Sequence, residues 1–173
     1  MILALDLATK IGWAKWSPKT AYAWGEFDID ESQLGRFATT ASRWLAGALH
    51  DVTEVYIEEM FVYKQIDLSV ITKLAGLRFE VARACTQRNI SCETVAISKW
   101  RSHFLGDTRA PSGLTKSQAR DWLKKRCIET CRARGWNVRT DNQADALGIL
   151  DWAKCRSQHD FAVQSTPLFA GIS

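Results

Sequence analysis

Asp6, the adjacent pair Glu58 and Glu59, and the pair Asp141 and Asp145 are the acids in this sequence whose positions could do chemistry. Each lies where an element ends or begins rather than along a solvated face. Asp6 follows the apolar run Ile2-Leu3-Ala4-Leu5, and a charge there is costly to bury unless it is paired or holds a metal. Glu58 and Glu59 close a second apolar run, and strand alternation lets only one of them share a face with Asp6. Asp141 and Asp145 are four apart at the start of a helical pattern, so they are one turn apart on one face. Taken singly, these are a turn residue, a solvated pair and a helix cap. Taken together, they are a hard, oxygen-only ligand set that suits Mg²⁺ or Mn²⁺ and does not suit zinc. Two such ions roughly 4 Å apart activate a water and stabilise the leaving oxygen in phosphodiester hydrolysis.

The charge pattern points the same way. Between Ser98 and Arg139 eleven Lys and Arg face three acids, a local charge of +8. The whole chain carries only +4, so the remainder is −4. A basic block on an acidic body is the footprint of a phosphate-backbone binder, although a solvated helix face would give the same count. Lys99, Arg101, Lys116, Arg120 and Lys124 are the block residues expected to touch nucleic acid. Acid cluster and basic block together predict a metal-dependent nuclease.

These residues need a scaffold, and 173 residues with 46% apolar and 24% charged side chains are about one globular domain. That length disfavours two-lobed kinases and dinucleotide oxidoreductases. The pattern predicts one domain over residues 1–157 and a C-terminal tail over 158–173. No apolar run approaches the ~18 residues of a membrane span, so a soluble, cytoplasmic protein is expected. Five cysteines, none in a C-x-x-C pair, fit neither a full disulfide set nor a zinc site. Cys127 and Cys131 are expected to pack along one helix stripe. The eight tryptophans are spread along the chain and read mainly as core fillers.

Strands are expected at Ile2–Asp6, Ile11–Trp16, Ala21–Ile29, Thr53–Ile57 and Cys92–Ile97, with Ser17-Pro18-Lys19 as a hairpin turn. Ser32 is a candidate N-cap for a helix through Leu34, Phe37, Ala41, Trp44, Leu45 and Leu49. A second amphipathic helix runs from Leu68 to Ala84. Ser98 to Leu114 reads as a short helix and a loop. Thr115 opens a helix to about Arg134, closed by Gly135, and Asp141 or Asn142 caps a last one through Trp152. The order βββ-α-β-α-β-α-α predicts an α/β domain, a mixed sheet with its first three strands antiparallel and helices on its faces. The Leu68–Ala84 helix has enough apolar positions to cover the sheet and offer a second stripe, including Leu74, Leu77 and Val81, to a second copy of the chain.

Four segments, at Leu3–Ala14, Ile57–Phe61, Thr115–Gln118 and Ala144–Leu147, also resemble a known family, the RuvC-type Holliday junction resolvases, the first of them particularly its phage and prophage members. Leu3-Ala4-Leu5-Asp6-Leu7-Ala8-Thr9-Lys10-Ile11-Gly12-Trp13-Ala14 is similar to their first strand and hairpin. Ile57-Glu58-Glu59-Met60-Phe61 is similar to their I-E-x-x-F motif, Thr115-Lys116-Ser117-Gln118 to their basic helix start, and Ala144-Asp145-Ala146-Leu147 to their closing A-D-A-L. The motifs keep their order over roughly residues 1–155.

The resemblance implies a ribonuclease H-like fold with a five-stranded mixed sheet, two Mg²⁺ or Mn²⁺ ions per active site, and a homodimer that cuts four-way DNA junctions in pairs. By position it makes Asp6, Glu58 and Asp145 metal ligands, sets Lys116 on the scissile strand and stacks Phe61 near the junction centre. Lys99 and Arg101 are both candidates for the family's other active-site lysine. The chain departs from the family at its fourth ligand, where D-x-x-D spacing falls on Asn142 and Asp141 stands beside it. An ideal helix leaves Asp141 about 40° and Asn142 about 60° from Asp145, so both can reach one site. Asp141 is favoured because closely spaced cations need negative charge. A ribonuclease H-like nuclease for other branched or hybrid substrates, and an inactive DNA-binding homologue, are the alternative readings.

Overall fold

The computed structural model describes residues 1–30, 32–60, 67–106 and 109–165, apart from the side chains of 159–165. Three antiparallel strands come first, β1 (Ile2–Asp6), β2 (Lys10–Ser17) and β3 (Thr20–Asp28). They are followed by α1 (Leu34–Ala48), β4 (Glu54–Glu58), α2 (Leu68–Thr86) and β5 (Ser91–Val95). The chain then runs through α3 (Ile97–Leu105), α4 (Lys116–Ala133) and α5 (Asp141–Ser165). The sheet order is β3-β2-β1-β4-β5, with β4 parallel to both β1 and β5. This is the mixed five-stranded α/β sheet expected from the sequence. No helix among the described residues is long and apolar enough to cross a membrane.

Strand alternation divides the interior in two. Leu3, Leu5, Val55 and Ile57 turn to one face, where Phe37, Ala41 and Leu45 of α1 and Leu77, Val81 and Cys85 of α2 cover them. Ile2, Ala4 and Tyr56 turn to the other, against Trp100 and Phe104 of α3, Cys127 and Cys131 of α4, and Leu147, Ile149 and Leu150 of α5. The five cysteines are free thiols, and Cys127 and Cys131 form the packed stripe that their spacing predicts.

Several boundaries differ from the pattern. Gln33, not Ser32, occupies the N-cap of α1 and makes no side-chain capping bond. β5 stops at Val95 because Ala96 caps α3, whose Trp100, Phe104 and Leu105 recur at helical spacing on the core side. Neither Asp141 nor Asn142 caps the last helix. Thr140 does, its hydroxyl accepting from the Gln143 amide at 3.3 Å and its carbonyl from the Ala144 amide at 3.2 Å. That helix also continues past Trp152 to Ser165. Apolar periodicity fades there, but no Gly or Pro interrupts the chain, and Lys154 donates to the Tyr22 hydroxyl while Arg156 pairs with Glu93. On α2, Leu77 and Val81 are spent in the chain's own core, so they are not a second stripe. The large apolar side chains exposed there are Leu68, Val70 and Phe79.

Candidate active site

The acids meet because of register and two glycines. Asp6 continues the alternation of Ile2 and Ala4, and Glu58 that of Tyr56, so both point to the α5 side. Leu5 pairs with Ile57 across the parallel strands β1 and β4, which makes Asp6 and Glu58 the next neighbours in line. Glu59 falls on the opposite parity and is exposed. The third acid, Asp145, arrives on the first turns of α5, which cross β2 at Gly12. A Cβ at Gly12 would lie 2.0 Å from the Asn142 carbonyl oxygen, so only glycine permits that approach. One turn past Ala144, Gly148 leaves room for the Trp100 ring, which a Cβ would meet at 2.6 Å.

Asp145 is only 8% exposed, and its Oδ1 has no hydrogen-bond partner among the described residues. Its Oδ2 accepts from Arg101 Nη2 at 3.2 Å, and the guanidinium lies 5.0 Å over the Trp100 ring. Trp100 Nε1 in turn donates to Glu58 Oε1 at 3.0 Å. Burial, followed by the charges of Asp145, Glu58 and Asp141, drives the Asp6 carboxyl well above the usual carboxylate range, with Arg101 pulling the other way. Burial and Asp145 push Glu58 up to about 7, against Arg101, the Trp100 bond and Arg78. Burial also raises Asp145, opposed by Arg101 and the Cys127 thiol and aided by Asp141. Three neighbouring acids that hinder each other's ionisation, with one orphaned oxygen among them, form a site short of positive charge.

The expected residues are not all gathered there. Asp6, Glu58, Asp145 and Arg101 come together, whereas Lys99 is exposed elsewhere on α3. Asp141 lies close enough to act on Asp6 and Asp145, but its carboxylate pairs with Lys124. Burial alone would raise Asp141, yet Lys124 and the amides of Asp141 and Asn142 hold it below the ordinary value. Asn142 turns its amide to Glu26 of β3. Lys116, Arg120 and Lys124 recur every four residues along α4, a basic stripe that ends at Asp141. Lys116 opens that helix behind a capping box, in which Thr115 Oγ1 accepts from the Gln118 amide and Gln118 Oε1 from the Thr115 amide. Phe61 lies outside the described residues.

Sequence reasoning missed Trp100, counted there as a core filler, and Arg78 of α2. Arg78 is half-buried, its Nε lacks a partner among the described residues, and its charge acts on Glu58, Asp6 and Glu59. An arginine beside Leu77 and Val81 in a packing helix was the available signal.

The donor set fits a hard divalent cation, since Asp6, Glu58 and Asp145 offer only carboxylate oxygens and Asp145 Oδ1 is buried without a partner. As the side chains stand, no three acids among the described residues close around one point, and Arg101, paired with Asp145, is the cation whose charge acts on all three.

No family model and no curated protein matches the chain. Solved structures do match. Thermus thermophilus RuvC superposes with a TM-score of 0.66 at 15% identity, over 92% of this chain and 96% of that one. The same protein in complex with a Holliday junction substrate gives 0.65 at 13% identity, over 92% and 95%. The yeast mitochondrial Holliday junction resolvase Ydc2 gives 0.53 at 15% identity, over 95% and 84%. The chain therefore has the ribonuclease H-like fold of RuvC, as its motifs implied.

Proposed function

We propose that this protein is a divalent-metal-dependent endonuclease that resolves four-way DNA junctions by paired phosphodiester hydrolysis. The observation that carries the reading is the approach of Asp6, Glu58 and Asp145 where β1 and β4 end, close enough to act on one another's ionisation, on a fold that superposes along nearly its whole length with RuvC, which has been solved on a Holliday junction.

Asp6, Glu58 and Asp145 would hold Mg²⁺ or Mn²⁺, two ions per site, and such ions supply water activation and neutralisation of the leaving oxygen. The protein's own groups do the rest. Trp100 fixes the Glu58 carboxylate through its indole N–H, and Gly148 lets that ring lie against α5. Arg101 keeps the acids together when no other cation is present, and its guanidinium is placed to turn to a phosphate oxygen. Lys116, Arg120 and Lys124 lead the phosphate backbone along α4 toward the acids, and Lys116 adds its charge at a helix N-terminus. Asp141 is available as a further ligand once DNA draws Lys124 away. Two copies joined through the exposed Leu68, Val70 and Phe79 would set two sites on one symmetric body, as paired cutting requires.

Labelled four-way junction, replication fork and RNA–DNA hybrid, incubated in parallel with and without Mg²⁺, test the reading. Symmetric cuts in the junction alone, and only with the metal, are expected. Preferential cutting of fork or hybrid would assign another substrate, and junction binding without any cutting would mark an inactive homologue. Light scattering with and without junction tests the dimer, which a strictly monomeric mass at micromolar concentration would refute.

A further inference from the structure

Asp6 pairs with Gly12 across β1 and β2, and Gly12 with Glu26 across β2 and β3. These three positions share one face, so Glu26 lies in the row of Asp6, two strands or roughly 10 Å along the sheet. The gap over Gly12 is filled by the first turn of α5, pressed against the sheet at the Asn142 carbonyl. Glu26 reaches that turn with both oxygens. Its Oε2 accepts from the Thr140 hydroxyl at 2.6 Å and its Oε1 from Asn142 Nδ2 at 3.3 Å. Thr140 passes the restraint on, since its hydroxyl oxygen accepts from the Gln143 amide and its carbonyl from the Ala144 amide, next to Asp145.

We propose, resting on the nuclease reading above, that Glu26 is a positioning residue which seats the start of α5 on β2 and so aims Asp145 at Asp6 and Glu58. The same arrangement gives a reason for the asparagine at position 142. A carboxylate can only accept hydrogen bonds, so the group that meets Glu26 must donate, and an aspartate cannot. An aspartate here would also set two like charges against each other beside a cluster already crowded with acids. Asn142 is thus a strut of the seat, and Glu26 is a carboxylate that acts through α5 rather than on the metal.

Exchanging donor and acceptor tests this. Glu26→Ala and Asn142→Asp should each weaken Mn²⁺ binding to the DNA-free protein, followed by calorimetry, by about tenfold, the loss usual for groups that orient ligands. Glu26→Gln, whose amide can still bond Asn142, should lose less. The Mg²⁺ concentration for half-maximal junction cleavage should rise in step, with junction affinity in the absence of divalent ions unchanged. In the double variant Glu26→Gln, Asn142→Asp the bond re-forms with its polarity reversed, and Mn²⁺ binding should return most of the way. Unchanged Mn²⁺ binding in Glu26→Ala would overturn the proposal. So would tighter binding in Asn142→Asp, which would make position 142 a ligand, or a double variant no better than Asn142→Asp. If the wild-type chain cuts no DNA, the nuclease reading fails by itself. Amide exchange at Gln143 and Ala144, faster in Glu26→Ala and slowed again in the double variant, still decides whether the seat exists.

Discussion

Against α1 and α2 the sheet presents Leu3, Leu5, Ile11, Val55 and Ile57, and that layer is apolar throughout. Against α3, α4 and α5 it presents Ile2, Ala4 and Tyr56, and then, at the ends of the same two strands, Asp6 and Glu58. The first layer holds no buried carboxylate, and its apolar contacts favour folding. The second holds three acids that burial penalises, one of them with an unpartnered oxygen. One sheet is thus covered by apolar side chains on both faces, but only one face also gives up stability to buried acids, where the proposed chemistry would use them. Substitutions on the two faces should therefore leave opposite signatures.

The largest effect is expected at the acids. Asp6→Asn or Asp145→Asn should lower junction cleavage by about a thousandfold, the scale of losing a group that acts on transition-state charge. The metal-free protein should become no less stable, and junction affinity should persist, because it rests on Lys and Arg contacts to phosphate. Cleavage within a few-fold of wild type would remove these acids from the active site. Leu77→Ala, on the other face, should do the reverse. A cavity at this fully buried position destabilises by about 2–5 kcal/mol in urea titration, with the cleavage rate per folded molecule unchanged. A matching loss of rate would show that the two layers are coupled.

Proton linkage separates the faces more finely. The Glu58 carboxyl has its ordinary value of 4.5 in the unfolded chain and is pushed up to about 7 in the folded one, so between those values the folded state binds more protons. Without metal, stability should therefore rise as pH falls from about 8 to about 5, by about 1–3 kcal/mol. Glu58→Gln should flatten that slope and stabilise the protein at pH 8. Mg²⁺ should flatten it too, since the ion and the proton compete for the same oxygens. A slope unaltered by Glu58→Gln would place the titration elsewhere.

Lys116→Ala should show the smallest change, about a tenfold slower cleavage at saturating junction with a lesser loss of affinity, because its charge sits where phosphate meets a helix N-terminus. Weaker binding with an unchanged saturated rate would make Lys116 one of the general DNA contacts of α4.

Much of the site was legible because it lies within single elements. An apolar run that ends in an acid names Asp6 and the Glu58-Glu59 pair, and alternation allows only one of that pair to join Asp6, since a strand's two faces follow from residue parity. The resemblance pointed to Glu58, and the β1–β4 register puts it there. The start of α4 at Thr115 and its basic residues were legible in the same way, whereas its capping box is a finding of the structure. The helix cap at Thr140 was missed because Asp141 and Asn142 are stronger cap formers, and both are drawn off, one to Lys124 and the other to Glu26.

The sequence by itself determined the strand and helix order, the alternation that lets only one of Glu58 and Glu59 join Asp6, and the charge that divides a basic block from an acidic body. Periodicity carries that much because it is a property of one element's own backbone. Which side chains from different elements meet was decided only when the layers packed. Arg101 rather than Lys99 reaches Asp145, Trp100 turns from core filler to anchor of Glu58, and Arg78 comes to the acids from the helix layer on the far face. Those meetings depend on close approaches, α5 on Gly12 and the Trp100 ring on Gly148, that no residue spacing along the chain encodes.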